Sequence, residues 1–494
     1  MSGAITFCDT MEIEEDSDDS NEMFSANDAD SEYSDADPAE INDNDVNDSD
    51  INFDLSDEEN CDTNSTSDTS QNYYSSKNKS IKLSKTPPAS SKTKKKNLVI
   101  HLPGVKGTAK NCKTPLVCWE YFFTPDNIED IVKFTNLKLD KMRSIYGRER
   151  DCAATDSDKI RALMGMLYLA GIYKMSHVNA KDLWSTDGMA PEMFRCVMSY
   201  KRFYLLLRAL RFDNIDTRKD RAITDKLAPI RQLWEDFNFK SQEAHVPSEY
   251  CTIDEMMSSF RGRCSLRQYI PSKLNRYGLK SFALSDARTF YVVKLELYAG
   301  KQPPGPYEAD NEPASIVKRI AQPILNTGRN ITMDNWFVSI PVIQELLKKY
   351  NTTVVGTIRK NTPDLPREFV IAKKRAVNTS MFGFCDDLTL VSYVPKKKSV
   401  FLWYRPCNNL QLLTLKLGIK KNGVTTFYNK TKSGVDMTDK LKAAYSVARC
   451  SFRWPLTAFF TLLDVADMEA NGAPGCSGGG GGGGGLSRSA SVSL

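Results

Sequence analysis

The chain reads as a mixed α/β protein carried behind a helical segment and an acidic arm. Three observations predict this: helical apolar spacing from about 118 to 249, a switch to short β-branched runs at 250, and a leading stretch with very few large apolar side chains.

Residues 1–76 hold 24 Asp and Glu and no Lys or Arg. Such a segment buries too little apolar surface to offset the entropy of ordering, so residues 1–117 are expected to be disordered, acidic first and then basic. Ser34 in Ser-Asp-Ala-Asp and Ser56 in Ser-Asp-Glu-Glu have the form of acidic-directed kinase sites, or belong to an unmodified solubilising tail. The remainder carries 66 Lys and Arg against 38 acids, a body at +28. That excess fits a polyanionic partner as well as a merely soluble surface. Lys92-Thr-Lys-Lys-Lys96, beside Pro87-Pro88, reads as a nuclear-import signal or a DNA-contacting arm. No signal peptide or membrane-spanning run is present, so no membrane partner is expected. The twelve cysteines include no C-x-x-C pair, which argues for reduced thiols and against a disulfide framework or zinc module.

Helical stripes follow, as in Ile128-Glu-Asp-Ile-Val-Lys-Phe134 and Phe203-Tyr-Leu-Leu-Leu-Arg-Ala-Leu210. From 250 the pattern predicts strands at 251–257, 278–285 and 289–298, a helix over 313–326 and a strand at 330–334. A helix over 339–350 has Ser339 as N-cap and Pro341 in its first turn, and a strand at 352–359 comes next. Three meander strands and then alternating helices and strands make a mixed sheet. Residues 361–422 are expected to interrupt it as a β-rich insertion, with strands at 388–393 and 400–404. The clusters Lys373-Lys-Arg375 and Lys396-Lys-Lys398 suit backbone tracking.

Four acids stand out. Asp254 lies on the first strand, Asp334 at the end of the fourth, and Asp436 and Asp439 on a helix opening near 433, one face sharing both at i, i+3. Distant carboxylates brought together are what a two-metal phosphoryl-transfer site needs, since Mg²⁺ takes hard oxygen ligands. Equally, an Asp at a strand end or in a first helical turn commonly caps or is solvated.

The surroundings decide between these. Thr252-Ile-Asp-Glu255, Phe260-Arg-Gly-Arg-Cys264, Tyr269-Ile-Pro-Ser-Lys273 and Tyr277-Gly-Leu-Lys280 are followed by Asp334-Asn-Trp-Phe337, Val355-Gly-Thr-Ile-Arg359 and Thr379-Ser-Met-Phe382. Tyr428-Asn-Lys-Thr-Lys-Ser-Gly-Val-Asp436 and Arg453-Trp-Pro455 complete the series. In this order they resemble the piggyBac transposase family from Trp119 to Leu463, about 70% of the chain.

The resemblance implies an RNase H-like catalytic core in two parts, 250–360 and 423–446. It also implies a helical dimerisation and DNA-binding domain over 118–249, rejoined at 447–467. Asp254, Asp334 and Asp436 would bind two Mg²⁺ ions, with Asp439 auxiliary. The implied activity nicks an element end, makes a hairpin by attack at TTAA, and joins DNA to a new TTAA. A nuclear homodimer acting on double-stranded DNA with terminal repeats is the implied assembly. Arg261, Arg263, Arg267, Lys273, Arg276 and Lys280 follow the first acid and fit a phosphate-positioning strip. Arg208, Arg211, Arg218, Lys219 and Arg221 are candidate phosphate contacts in the helical domain. Beside the second acid, Asn335 would orient a ligand and Trp336 would stack on a base or pack.

Past Leu463 the resemblance breaks. The family continues through helices into a Cys/His-rich zinc module, whereas residues 468–494 read as a disordered tail with eight glycines at 478–485. No structural zinc is therefore expected, and impaired recognition of element ends is. The alternative is a non-catalytic, transposase-derived DNA-binding protein.

Overall fold

The computed structural model describes residues 72–87, 99, 101–271, 273, 275–371, 375–385, 388–396, 401–406 and 423–472. Ser34, Ser56, the Lys92–Lys96 run, Lys373, Lys374, Lys397, Lys398 and the glycine tail lie outside them.

Among the described residues, seven α-helices lie between residues 115 and 244: α1 (Pro115–Phe122), α2 (Pro125–Met142), α3 (Ser157–Ile172), α4 (Met193–Val197), α5 (Tyr200–Ala209), α6 (Arg218–Ala222) and α7 (Arg231–Ala244). Their starts follow capping chemistry. Thr114 and Thr124 each accept a hydrogen bond from the third backbone N–H with proline at the helix start, and Asp156 does the same for Lys159.

The strands are β1 (Tyr73–Ser75), β2 (Lys82–Ser84), β3 (Gly104–Val105), β4 (His245–Val246), β5 (Tyr250–Ser259), β6 (Arg267–Tyr269), β7 (Tyr277–Asp286), β8 (Val292–Leu297), β9 (Asn330–Met333), β10 (Thr353–Thr357), β11 (Ser380–Cys385), β12 (Leu388–Tyr393) and β13 (Phe401–Pro406). All but β3 and β4 join one sheet in the order β1-β2-β11-β12-β13-β10-β9-β5-β7-β6, with β8 also on β7. Its centre is β8-β7-β5-β9-β10. The β5, β7 and β8 meander is antiparallel, and β5, β9 and β10 run parallel.

Two cores cover the two faces. One packs Ile253, Ile331 and Leu284 against Ile320 of α8 (Pro313–Ala321) and Ile343 and Leu346 of α9 (Ile340–Tyr350). The other packs Met256 and Ala283 against Val435 of α12 (Gly434–Ala444) and Phe459 and Leu463 of α13 (Trp454–Gly472). Short helices α10 (Arg367–Val370) and α11 (Gly423–Thr431) complete the set. No helix among the described residues is long and apolar enough to cross a membrane.

Four expectations change. Residues 72–87 and 101–117 are structured. Leu83 is fully buried, Tyr74 packs edge-on to Phe369, and β2 pairs with β11, so a few apolar residues anchor a stretch whose average composition is polar. The insertion does not stand apart from the sheet, because β13 pairs antiparallel with β10 and continues it. The helix expected to reach 326 ends at Ala321, and Gln322–Ile324 is 3₁₀, as Pro323 removes a donor and crowds the preceding turn. Finally, the helix through Leu463 continues to Gly472 rather than dissolving at 468, with Met468 and Ala470 buried.

Candidate active site

Strand register brings the first two acids together. β5 and β9 pair in parallel up to Ile253 and Met333. Asp254 and Asp334 thus each stand one residue beyond that pair, on neighbouring strands about 4.8 Å apart. β9 pairs with β10 through Met333 and Gly356, which sets Thr357 beside Asp334. The Thr357 hydroxyl donates to Asp334 Oδ1 at 3.1 Å, and the Asn335 amide donates to the same oxygen. Asp254 Oδ1 accepts the Glu255 amide at 2.8 Å.

The third acid arrives on α12, and threonines fix the end of the preceding helix α11 to the strands. Thr252 Oγ1 donates to the Thr431 carbonyl at 2.6 Å, and the Thr332 and Thr431 hydroxyls share a bond of 2.8 Å. Thr252 and Thr332 lie two residues before Asp254 and Asp334, hence on the same face of their strands. Gly434 makes the close approach possible, since a β-carbon there would lie 2.5 Å from Thr252 Oγ1. Asp436 follows, exposed in the first turn of α12.

The acids and nearby bases act on one another electrostatically. Burial first, then Glu255 and Asp436, hold the Asp254 carboxyl well above the usual carboxylate range, with Lys273 opposing. Burial pushes the Tyr428 phenol up, and so do the charges of Asp334, Asp254 and Asp436. Lys273 Nζ donates to the Glu255 carbonyl at 3.0 Å and lies 3.5 Å from Asp436 Oδ1. Burial would lower its ammonium, but Asp254, Asp436, Glu255 and Asp439 raise it overall. Asp439 itself is turned to Lys442, 2.8 Å away, whose buried ammonium also reaches Ser258 Oγ at 3.3 Å. Among the described residues no group of three or more His, Cys, Asp or Glu is arranged to hold a metal ion as it stands.

With this geometry in view, a family model described as Transposase IS4 matches residues 114–470. A cryo-EM structure of a piggyBac transposase synaptic complex with hairpin DNA superposes with a TM-score of 0.69 at 32% identity, covering 76% of this chain and 77% of that one. The chain belongs to the piggyBac transposase family. Human PiggyBac transposable element-derived protein 3 is 24% identical over 373 residues, 71% of this chain and 60% of its own length. The human Chimeric ERCC6-PGBD3 protein is 24% identical over 373 residues, 71% of this chain and 34% of its length.

In this piggyBac-family chain the basic residues after Asp254 divide. Arg261, Arg263, Arg267 and Arg276 are exposed. Lys280 points elsewhere: its ammonium lies 3.5 Å from Glu255 and 4.8 Å from the Trp336 ring centre. Trp336 packs, stacked on Phe282 with ring centres 5.6 Å apart. Asn335 Oδ1 accepts from Arg359 Nε at 3.3 Å. In the helical part, Arg211 is buried and donates to the Arg208 and Leu210 carbonyls, while Arg218 and Arg221 both pair with the buried Asp213. These three guanidiniums are committed to the fold, and Lys219 is exposed.

Thr357, Tyr428, Thr431 and Lys442 were not anticipated as parts of the site. Tyr428 and Thr431 sit inside the motif that carries Asp436, which was the available signal. Thr357 likewise lies inside the Val355–Arg359 motif, whereas for Lys442 only helix packing brings the residue in.

Proposed function

We propose that this chain is a DNA transposase of the DDE/D kind, working in the nucleus as a homodimer on double-stranded DNA at TTAA sites and terminal repeats. The observation that carries the proposal is the adjacency of Asp254, within β5, and Asp334, just past β9, on neighbouring parallel strands, with Thr431, five residues before Asp436, bonded to both strands. The strand order, a three-strand antiparallel meander extended by two parallel strands, supports an RNase H-like core.

The residues fit a pair of Mg²⁺ ions. The donor set is carboxylate oxygen, the right chemistry for a hard cation. Burial first, then Glu255 and Asp436, disfavour the ionised Asp254 carboxyl, and a divalent ion beside it would favour that form. Asp254, Asp334 and Asp436 would hold the ions, with Asp439 auxiliary through its Lys442 contact. When bound, Mg²⁺ supplies activation of the attacking oxygen and stabilisation of the leaving oxygen in an in-line displacement at phosphorus.

The chain's own groups do the rest. Thr357 orients Asp334 through its hydroxyl. Tyr428 keeps its proton at neutral pH and serves as a donor facing the acids. Arg261, Arg263, Arg267 and Arg276 give the surface beside the site a phosphate-attracting charge.

The test is Mg²⁺-dependent joining of a pre-nicked, TTAA-ended duplex to a TTAA target at low salt. Joined product that disappears in Asp254→Ala and Asp334→Ala supports the enzyme. No product, with salt-sensitive DNA binding kept by all three proteins, supports a transposase-derived DNA-binding protein. The names of the human relatives favour that second reading, since one is called transposable element-derived. The zinc-free expectation is carried as part of the proposal, tested by metal analysis of the purified chain.

A further inference from the structure

Lys273 is the one expected phosphate contact whose ammonium lies inside the acid cluster. Its side chain is 23% exposed and sits 3.5 Å from Asp436 Oδ1 and 3.0 Å from the Glu255 carbonyl. The neighbouring acids have other partners: Glu255 faces Lys280 at 3.5 Å and Asp439 faces Lys442 at 2.8 Å. The charge of Lys273 thus acts on Asp254 and Asp436 together.

Resting on the metal-dependent reading above, we propose that Lys273 is the resident counter-ion of the site. Its ammonium occupies a cation position among the acids in the metal-free protein, gives that position up when divalent ions load, and is then released to a DNA phosphate. An ammonium and a divalent ion are alternatives against the same carboxylates, because each relieves the same repulsion and like charges in one cluster oppose each other. The hold on Lys273 is also exchangeable: one backbone carbonyl and one long ion pair, on a flexible four-carbon stem. Arg267 and Arg276 are exposed nearby in sequence, so the released ammonium joins a surface already suited to phosphate. Metal loading and DNA engagement are thereby coupled through one side chain.

The test uses the full chain without DNA, titrated calorimetrically with Mn²⁺ and then Mg²⁺, comparing wild type, Lys273→Gln and Asp254→Asn. Lys273→Gln should bind Mn²⁺ about tenfold more tightly than wild type, since the competing charge is gone. It should also lower the melting temperature of the metal-free protein and regain it with Mn²⁺. In parallel, the salt dependence of DNA binding should lose a slope of about 1 in Lys273→Gln with Mg²⁺ present, and nothing without it. Unchanged or weaker Mn²⁺ binding in a folded Lys273→Gln, with binding lost in Asp254→Asn, would overturn the counter-ion role while sparing the metal site. Absence of Mn²⁺ binding in wild type and Lys273→Gln alike would overturn both.

Discussion

Thr332 and Thr431, 99 residues apart in the chain, share a buried hydroxyl–hydroxyl hydrogen bond of 2.8 Å. Through it, and through the Thr252 bond to the Thr431 carbonyl, one residue at the end of α11 ties together the segments bearing all three acids. Thr431→Val keeps the shape and removes the side-chain bonds. It should destabilise the fold by about 1–3 kcal/mol and reduce joining by more than that loss of folded protein accounts for. Thr431→Ser should restore both. Equal activity per folded molecule in Thr431→Val, read from single-turnover joining and thermal melts, would show that the threonines only hold the fold.

Asp254 illustrates a site assembled against its own repulsion. Burial and the charges of Glu255 and Asp436 oppose its ionisation. Asp254→Asn should therefore melt at or above the wild-type temperature in metal-free buffer while joining is abolished. A clear loss of stability would mean that the carboxyl contributes more to folding than its ionisation opposes.

Asp464, on α13, gives a pH signature. It accepts hydrogen bonds from Val447 N at 2.8 Å and Ser446 Oγ at 2.9 Å, yet burial raises its pKa to about 7. A carboxyl raised in the folded state is favoured while protonated, so its contribution is complete below the unfolded value near 4 and is lost as pH rises through about 7. Between pH 6 and 8 the wild type should lose about 1.4 kcal/mol more stability than Asp464→Asn. Parallel pH profiles from denaturant melts would refute the assignment.

The arginines around Asp213 separate structural from DNA-facing charge. Asp213 is buried and paired by both Arg218 and Arg221. Arg218→Ala leaves that carboxylate less compensated and should cost about 3 kcal/mol of stability. Lys219→Ala, at an exposed position, should leave stability within about 0.5 kcal/mol. A Tm comparison of the two decides it.

The central sheet was legible because short apolar runs alternate with turn and helix signals, and Asp334 and Asp436 fall just past a strand and in the first turn of a helix, with Asp254 inside β5. Helices α8 and α9 were equally plain, apart from the proline that shortens α8. The N-terminal hairpin was not legible: three residues at 73–75 and three at 82–84 are too short for a periodic signal, and their anchor Leu83 finds its core only beside β11. Within the site, Asp254, Asp334 and Asp436 could be named from local pattern. The commitments of Lys280 to Glu255 and of Arg211 to backbone carbonyls could not, because a basic residue in sequence carries no mark of which partner it meets. The C-terminal end of α13 was masked by the composition that follows it.

That hairpin also changes what the sheet shows to its surroundings. β11, with Met381, Phe382 and Phe384, would form a bare border without β2 beside it, a template for the strand of another molecule. β2 pairs with β11 at Phe384, and the outermost strand becomes β1, only three residues long with Lys77, Lys79 and Lys82 close by. Short length and lysine are the means by which natural sheets discourage edge-to-edge growth. Residues 72–87 thus act as a selvedge, and a chain begun at 100 should self-associate through β11 more than one begun at 72, as read by light scattering.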